Sequence, residues 1–434
     1  MKKYEAYKDS GVEWIGEIPE DWQLLRFKHF AKQITTPSDS VKKVGLENIE
    51  SKTGRYIPTE SEFDGNGIQF LKDDIVYGKL RPYLQKVWQA EFEGNAVGDF
   101  FVYRVLSNCI PRYLKYVFLS ENFTSAANGS TYGAKMPRVS SEFISNSFWP
   151  LPSIDEQQTI ATYLDHKVGQ IDVSISAINS QIDDLKAYRQ SIIDEAITKG
   201  LNPDAKLKDS GIEWIGKIPE GWTVIREKFL MNNYKSGPFG SSLITDKLLE
   251  KGNILVYTPE HIAKKNTSIE NNLYLPEERR NEMSQFFVKP GEIVFPIVGT
   301  LGRAMEISDD MPEGIINQRL AKFSINRDKL NVRFFLYLLT DCQLYKDYVY
   351  ENCRGSIIVN LTKEILSDIP IILPSLSEQQ TIVDFLDIKT AKIDSSIQSL
   401  ETQLKDLNAL KQSIISEAVT GKIDLREWKQ SAEQ

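Results

Sequence analysis

Two stretches of this 434-residue chain gather glycine, basic, aromatic and amide side chains into short loops. In the first, Gly78-Lys79-Leu80-Arg81-Pro82-Tyr83 follows a strand-like run, and Gly129-Ser130-Thr131-Tyr132-Gly133-Ala134-Lys135-Met136-Pro137-Arg138 comes later. In the second, Ser236-Gly237-Pro238-Phe239-Gly240-Ser241-Ser242 comes early, then Val298-Gly299-Thr300-Leu301-Gly302-Arg303, Asn317-Gln318-Arg319 and Arg354-Gly355-Ser356. Such loops suit contact with nucleic acid. Glycines let the backbone approach phosphates, and Arg, Lys, Asn and Gln can make paired hydrogen bonds to purine edges. One such loop alone is an ordinary solvent turn; recurrence in both stretches carries the argument. The candidate residues are Lys79, Arg81, Tyr83, Lys135 and Arg138 in the first stretch. In the second they are Phe239, Ser241, Ser242, Arg303, Asn317, Gln318 and Arg319. Arginines and amides would read bases, while lysines and small hydroxyls would position phosphates. Tyr83 and Phe239 fit loop-anchoring core packing equally well.

The frame that must hold these loops is written twice. Asp9 to Trp22 reads DSGVEWIGEIPEDW and Asp209 to Trp222 reads DSGIEWIGKIPEGW, identical at 11 of 14 positions and 200 residues apart. LPSIDEQQTI from Leu151 and LPSLSEQQTI from Leu373 form a second pair, 222 residues apart. The stretches between, about 23–150 and 223–372, show no obvious likeness to each other. Both read as mixed α/β modules, with strands at Ile75–Tyr77, Phe100–Val105, Glu292–Val298 and Ala321–Ile325. Helices are expected at Pro111–Leu119 and Val332–Leu339. The 22 extra residues of the second stretch imply a segment of its own.

After each LPS block the pattern turns heptad. Leu164, Ile171, Ile178, Leu185 and Ile192 fall seven apart, beside Val168, Ile175, Ile182, Arg189 and Ala196. Leu386, Ile393, Leu400, Leu407 and Ile414 repeat the stripe, beside Thr390, Ile397, Leu404, Lys411 and Ala418. This is a coiled-coil seam. Arg189 and Lys411 are charged interruptions at equivalent seam positions, 222 residues apart. Ser153 with Glu156 and Ser375 with Glu378 fit a reciprocal capping box; Gly200 and Gly421 suit helix stops. Matching length and register favour the two helices packing antiparallel on each other, over each packing on its own module. The fold expectation is therefore α+β: two mixed modules separated by paired antiparallel helices, with pseudo-two-fold internal symmetry. Its divisions are 1–150, 151–200, 201–372 and 373–434.

Composition narrows the class. No run of about 18 apolar residues exists to span a membrane, and the N-terminus lacks the apolar core of a signal peptide. Cys109, Cys342 and Cys353 have neither disulfide-framework nor metal spacing, as expected of a cytoplasmic protein. Net charge is −8, which counts against a free-standing nucleic-acid binder. GxxxxGK[ST], GxGxxG after a strand, [DNS]PP[YFW], HExxH and GxSxG are all missing. His166 reads as an ordinary helix residue. No catalytic or metal-ligating set is expected: a binder rather than an enzyme.

The doubled DSGxEWIGxIPExW, the doubled LPSxxEQQTIxxxLD, GKLRPYL and GPFGSSL together resemble the specificity (HsdS-type) subunits of type I restriction-modification systems. The repeated blocks with the heptad arms that follow them cover somewhat more than a quarter of the chain, and the two-insert layout all of it. The resemblance implies two target recognition domains, each reading one half of a bipartite, asymmetric sequence in double-stranded DNA. It implies that the helices set the gap and dock two methyltransferase subunits, with two restriction subunits added. S-adenosylmethionine, ATP and Mg²⁺ would then belong to those partners, and none to this chain. Groove contacts one turn apart need a rigid separation of roughly 34 Å, which arms of about 60 Å would supply. Two rival readings remain: a coiled-coil scaffold presenting protein-binding modules, favoured by the acidic charge, and a nuclease fused to its own reader.

Overall fold

The computed structural model describes residues 2–40, 42–60, 63–133, 135–238, 243, 248–299, 302–353 and 361–428. The chain divides into two units, residues 1–180 with 400–434, and residues 181–399. Each contains one module and part of both long helices.

The first unit starts with the hairpin Tyr7–Asp9/Glu17–Pro19 inside the repeated block. Gln23–Arg26 then pairs with Phe148–Leu151, so the two ends of the module are stitched together. The central sheet runs Ala31–Ile34, Phe100–Val105, Ile75–Gly78, Val87–Gln89 in spatial order, all antiparallel. Alternation sends its side chains into two cores. Ile75, Tyr77, Phe101 and Tyr103 join an aromatic core with Phe27, Phe118, Phe123 and Trp149. Val76, Phe100 and Val102 face a second core with Val44, Ile49, Phe70 and Trp88. A sheet covered on both faces explains the unbroken apolar run FFVY.

The second unit has the same plan. Leu207–Asp209/Lys217–Pro219 is the hairpin, and Thr223–Arg226 pairs with Pro370–Leu373. The central sheet runs Met231–Ser236, Leu320–Ile325, Ile293–Pro296, Met305–Glu306. The modules thus share a central-sheet topology that their sequences conceal, while their smaller sheets differ, with four strands in the first and three in the second. One local match is close: the Gly45 amide bonds Asn48 Oδ1 at 2.9 Å, and the Thr258 amide bonds His261 Nδ1 at 3.0 Å. The shift between equivalent residues is 200 at Arg26/Arg226 and 213 at Asn48/His261. Most of the 22-residue excess therefore enters before the Ile254–Tyr257 strand.

One inward position differs instructively. In the ladders Val102 faces Val76, and Lys322 faces Val294. Lys322 is buried where the first unit has valine, and Glu292 answers it at 2.8 Å. Asp74, the counterpart of Glu292, pairs instead with Arg104 at 2.7 Å. Both carboxylates also cap the amide three residues earlier, Leu71 and Lys289.

The long helices are Ile154–Lys199 and Leu376–Val419. Within the first unit Lys411 meets Asp172 at 2.7 Å; within the second Arg189 meets Asp394 at 2.9 Å. In both units rising numbers on one helix meet falling numbers on the other, so the pairing is antiparallel. The polar interruption is thus a related pair of charge contacts, since Asp172 and Asp394 are also 222 apart. Leu164, Ile171, Leu386 and Ile393 are buried; Ile178, Leu185, Ile192, Leu400, Leu407 and Ile414 are half-buried. The helix ends also enter the module cores: Ile160, Leu164 and Ile415 with Trp149, and Ile193, Ile197 and Leu386 with Trp222.

Two details depart from expectation. The hydroxyls of Ser153 and Ser375 do cap the amides of Glu156 and Glu378, at 3.3 Å each. The Glu156 carboxylate, however, takes the Tyr4 hydroxyl at 2.5 Å rather than reaching back to the cap. The helix expected over Val332–Leu339 is α-helical for Val332–Leu336 and widens to a π-turn at Tyr337–Asp341. Gly200 and Gly421 end the long helices at φ +77° and +70°, the left-handed conformation that glycine adopts without a Cβ clash.

Candidate nucleic-acid interface

In the first module Phe100 pairs with Gly78, so the loop leaving Gly78 and the turn preceding Phe100 emerge at the same sheet end. The Lys79 amide donates to the Asp99 carbonyl at 2.9 Å. A third loop, 131–138, is laced onto them. The Arg81 amide donates to the Pro137 carbonyl at 2.7 Å, the Val139 amide to the Lys79 carbonyl at 3.1 Å, and Tyr132 and Arg138 exchange both backbone bonds. Arg81 and Gln85 sit at φ 52° and 47°, strain of a kind that collects at ligand-contacting loops. Gln85 is held in place by Thr124 Oγ1 at 2.8 Å.

The loops present Arg81, Lys135, Tyr83, Tyr132 and Met136 to solvent. Lys79 and Arg138 are only partly open. Arg138 gives Nε and Nη2 to the two oxygens of Asp99 at 3.0 and 2.8 Å, with Lys79 Nζ 3.7 Å away. The Arg138 hydrogen bond holds the Asp99 carboxyl below the usual carboxylate range. Arg138 was expected to read bases; its fork is here engaged by an acid. The structure therefore brings the five first-module candidates onto one laced surface, and adds Asp99, Tyr132 and Met136, which the sequence reading did not select. For Tyr132 and Met136 the only sequence signal was a glycine-flanked loop around two large apolar side chains. For Asp99 it was a Gly-Asp turn before a strand.

The second module offers the corresponding sheet end. The Gly237 amide donates to the Leu320 carbonyl at 2.8 Å. A Cβ at Gly237 would overlap the Asn317 carbonyl oxygen, so only glycine fits. Asn317 Oδ1 accepts the Arg319 amide at 3.0 Å, a local turn that leaves Gln318 and Arg319 exposed. The Ile297 amide donates to the Arg319 carbonyl at 2.9 Å, joining the loop that leads to Arg303. Arg303 is exposed and borders Lys346, Tyr350 and Leu361. Phe239, Ser241 and Ser242 lie outside the described residues, as do Thr300, Leu301 and the 354–360 stretch.

The repeated motifs explain themselves as fasteners. Buried Gln157 accepts the Ile110 amide at 2.9 Å and donates to the carbonyls of Asn108 and Pro152 at 3.0 Å each. Gln379 repeats this with Asn331, Lys329 and Pro374, at 2.7, 3.0 and 2.9 Å. Asp165 collects Arg112 and the Tyr116 hydroxyl, and Asp387 collects Arg333 and the Tyr337 hydroxyl. The three thiols are buried, and burial pushes Cys109 and Cys342 up to about 12. Among the described residues no cluster of three His, Cys, Asp or Glu could hold a metal, and no helix is long and apolar enough to cross a membrane.

Residues 222–406 match the family model of the type I restriction modification DNA specificity domain. The chain is 26% identical to the type I restriction enzyme MjaVIII specificity subunit of Methanocaldococcus jannaschii, over 94% of both chains. It is 24% identical to the EcoBI specificity subunit of Escherichia coli, over 78% of this chain and 69% of that one. A solved chain from a study of complex assembly and conformational transition of the type I R-M system shares the fold, with TM-score 0.71, 19% identity and 94% and 99% coverage. The HsdS subunit from Thermoanaerobacter tengcongensis aligns at TM-score 0.50 and 19% identity, covering 96% and 100%.

Proposed function

We propose that this chain is an HsdS-type specificity subunit of a type I restriction-modification system, as the proteins it resembles are, and that it reads a bipartite, asymmetric DNA site. Each module would contact one half, through the sheet end that carries its exposed basic loops. The observation that carries this is the pairing of equal central sheets with unequal loop residues. Arg81, Tyr83, Tyr132 and Lys135 present one chemistry, and Arg303, Gln318 and Arg319 another. Equal scaffolds with different readers give two different half-sites at fixed geometry. The helices would set the gap and dock two methyltransferase subunits, to which two restriction subunits add. Adenine methylation from S-adenosylmethionine and ATP-driven cleavage with Mg²⁺ would reside on those cytoplasmic partners. The net charge of −8 fits a chain that borrows phosphate neutralisation from them.

The test is a methylome. The chain is expressed with its cognate methyltransferase subunit in a methylation-free host, and methyladenine is mapped by single-molecule sequencing. A two-part motif with a fixed gap, lost when this chain is omitted, is expected. Replacing residues 223–372 by another module should change one half only. A stable complex that methylates no defined motif would sink the reading.

A further inference from the structure

We propose that Asp99 is a positioning residue for the first module's reading surface, one that gives up DNA affinity to gain sequence discrimination. The inference rests on the DNA-reading role proposed above. A carboxylate among Lys79, Arg81, Lys135 and Arg138 opposes phosphate binding, because each cation it engages is one fewer to release counterions from DNA. Its contacts account for its presence. Asp99 stands between Gly98, at φ +96°, and the Phe100–Val105 strand. Its carbonyl holds the Lys79 amide at 2.9 Å, and its carboxylate holds the Arg138 fork at 3.0 and 2.8 Å. A two-point grip fixes the plane of a guanidinium as well as its place. The backbone of Arg138 is bonded both ways to Tyr132, and that of its neighbour Pro137 to Arg81. One residue therefore joins the loops that present Arg81, Tyr83, Tyr132 and Lys135, its carbonyl holding the Lys79 backbone and its carboxylate the Arg138 fork, with Lys79 Nζ 3.7 Å away.

The second module is built otherwise. The turn before its Leu320–Ile325 strand carries Asn317, whose Oδ1 accepts the Arg319 amide. Among the described residues no carboxylate pairs with Arg319. The effect of Asp99 belongs to one half-site, and the other serves as the internal control.

The experiment uses the complex with the cognate methyltransferase subunit, carrying Asp99→Asn, Asp99→Glu or Arg138→Lys. It reads the methylation motif, thermal stability, and binding of the cognate and a scrambled duplex across a salt series. Asp99→Asn should blur the first module's half-site, with about a tenfold loss of discrimination against single mismatches. The second half-site and the gap should not change. Binding of the scrambled duplex should tighten, and its logarithmic salt slope steepen by about 1 to 2, as two cations are released. Asp99→Glu should recover much of the discrimination, whereas Arg138→Lys, which keeps the charge and loses the fork, should not. Two sharp half-sites in Asp99→Asn overturn the proposal. So does a loss of stability or assembly that weakens cognate and scrambled binding alike, since that marks a merely structural role. A wild-type complex without a two-part motif overturns the functional reading itself, and the proposal with it.

Discussion

Glu227 stands in the second unit where Phe27 stands in the first, on matching short turns 200 residues apart. Phe27 packs among Phe30, Tyr103, Phe118 and Trp149. Glu227 is fully buried, receives the Tyr345 hydroxyl at 3.1 Å, and is pushed by burial well above the usual carboxyl range. Tyr345 itself replaces Phe123, since Trp214 packs edge-on to Tyr345 as Trp14 does to Phe123. Two buried aromatic side chains of one core, Phe27 and Phe123, are thus matched in the other unit by a hydroxyl–carboxyl pair. A second contrast lies at the helix starts. Trp428 packs edge-on against Tyr163 at 5.3 Å, while Phe385, the counterpart of Tyr163, borders an open groove of about 370 Å³. Gln157/Gln379 and Asp165/Asp387 keep their partners unchanged. The rule that emerges is physical. A glutamine that satisfies one amide and two carbonyls at once is kept, whereas a side chain that caps a nearby amide, as at Asn48/His261 and Asp74/Glu292, or a packed pair can be exchanged.

The comparison breaks first if the fasteners are unequal. Gln157→Ala and Gln379→Ala each strand one amide and two carbonyls, and should each cost about 3 to 5 kcal/mol in denaturant unfolding. A cheap loss in one unit alone would refute the equivalence of the frames. Next come the related charge contacts, which should differ in worth. Lys411 and Asp172 are 5% and 10% exposed, so Lys411→Met should cost about 3 kcal/mol. Arg189 and Asp394 are 27% and 53% exposed, so Arg189→Met should stay below about 1 kcal/mol.

Glu227→Gln tests the aromatic-for-carboxyl exchange through pH. The folded value of Glu227 is raised, so its stabilising contribution is complete below the unfolded value and is lost as pH climbs through the folded one. Over that interval the glutamine variant should gain on wild type by about 1.4 kcal/mol per pH unit, read as a growing difference in Tm. A pH-independent difference would mean that the carboxyl is charged in the fold. The smallest effects belong to the loops. Arg81→Ala and Arg319→Ala should each lower the salt slope of DNA binding by about 0.9. Each should weaken its own half-site and spare the other.

Much of this was legible along the chain. Heptads located both long helices, because burial on one face imposes a seven-residue rhythm whatever surrounds it. Pro111–Leu119 and Phe100–Val105 fell where read, since an apolar strand and a proline-started helix are local signals. The likeness of the two modules was not legible. Val102 and Lys322 occupy the same inward position, yet one is apolar and the other charged, and only Glu292 in space reconciles them. The candidate surface was half legible. Glycine-rich basic loops mark where a surface lies, but Arg138 looks free in sequence and is held by Asp99, 39 positions earlier.

The sequence by itself determined what depends on neighbours along the chain: strand and helix periods, caps and stops, and a frame repeated at offsets of 200 and 222. Tertiary structure decided which exposed cations are available and which are already paired, and which loops share a sheet end. It also decided which polar side chain stands in for an apolar one. Those outcomes turn on distances of about 3 Å between residues far apart in number, and no local pattern encodes such a distance.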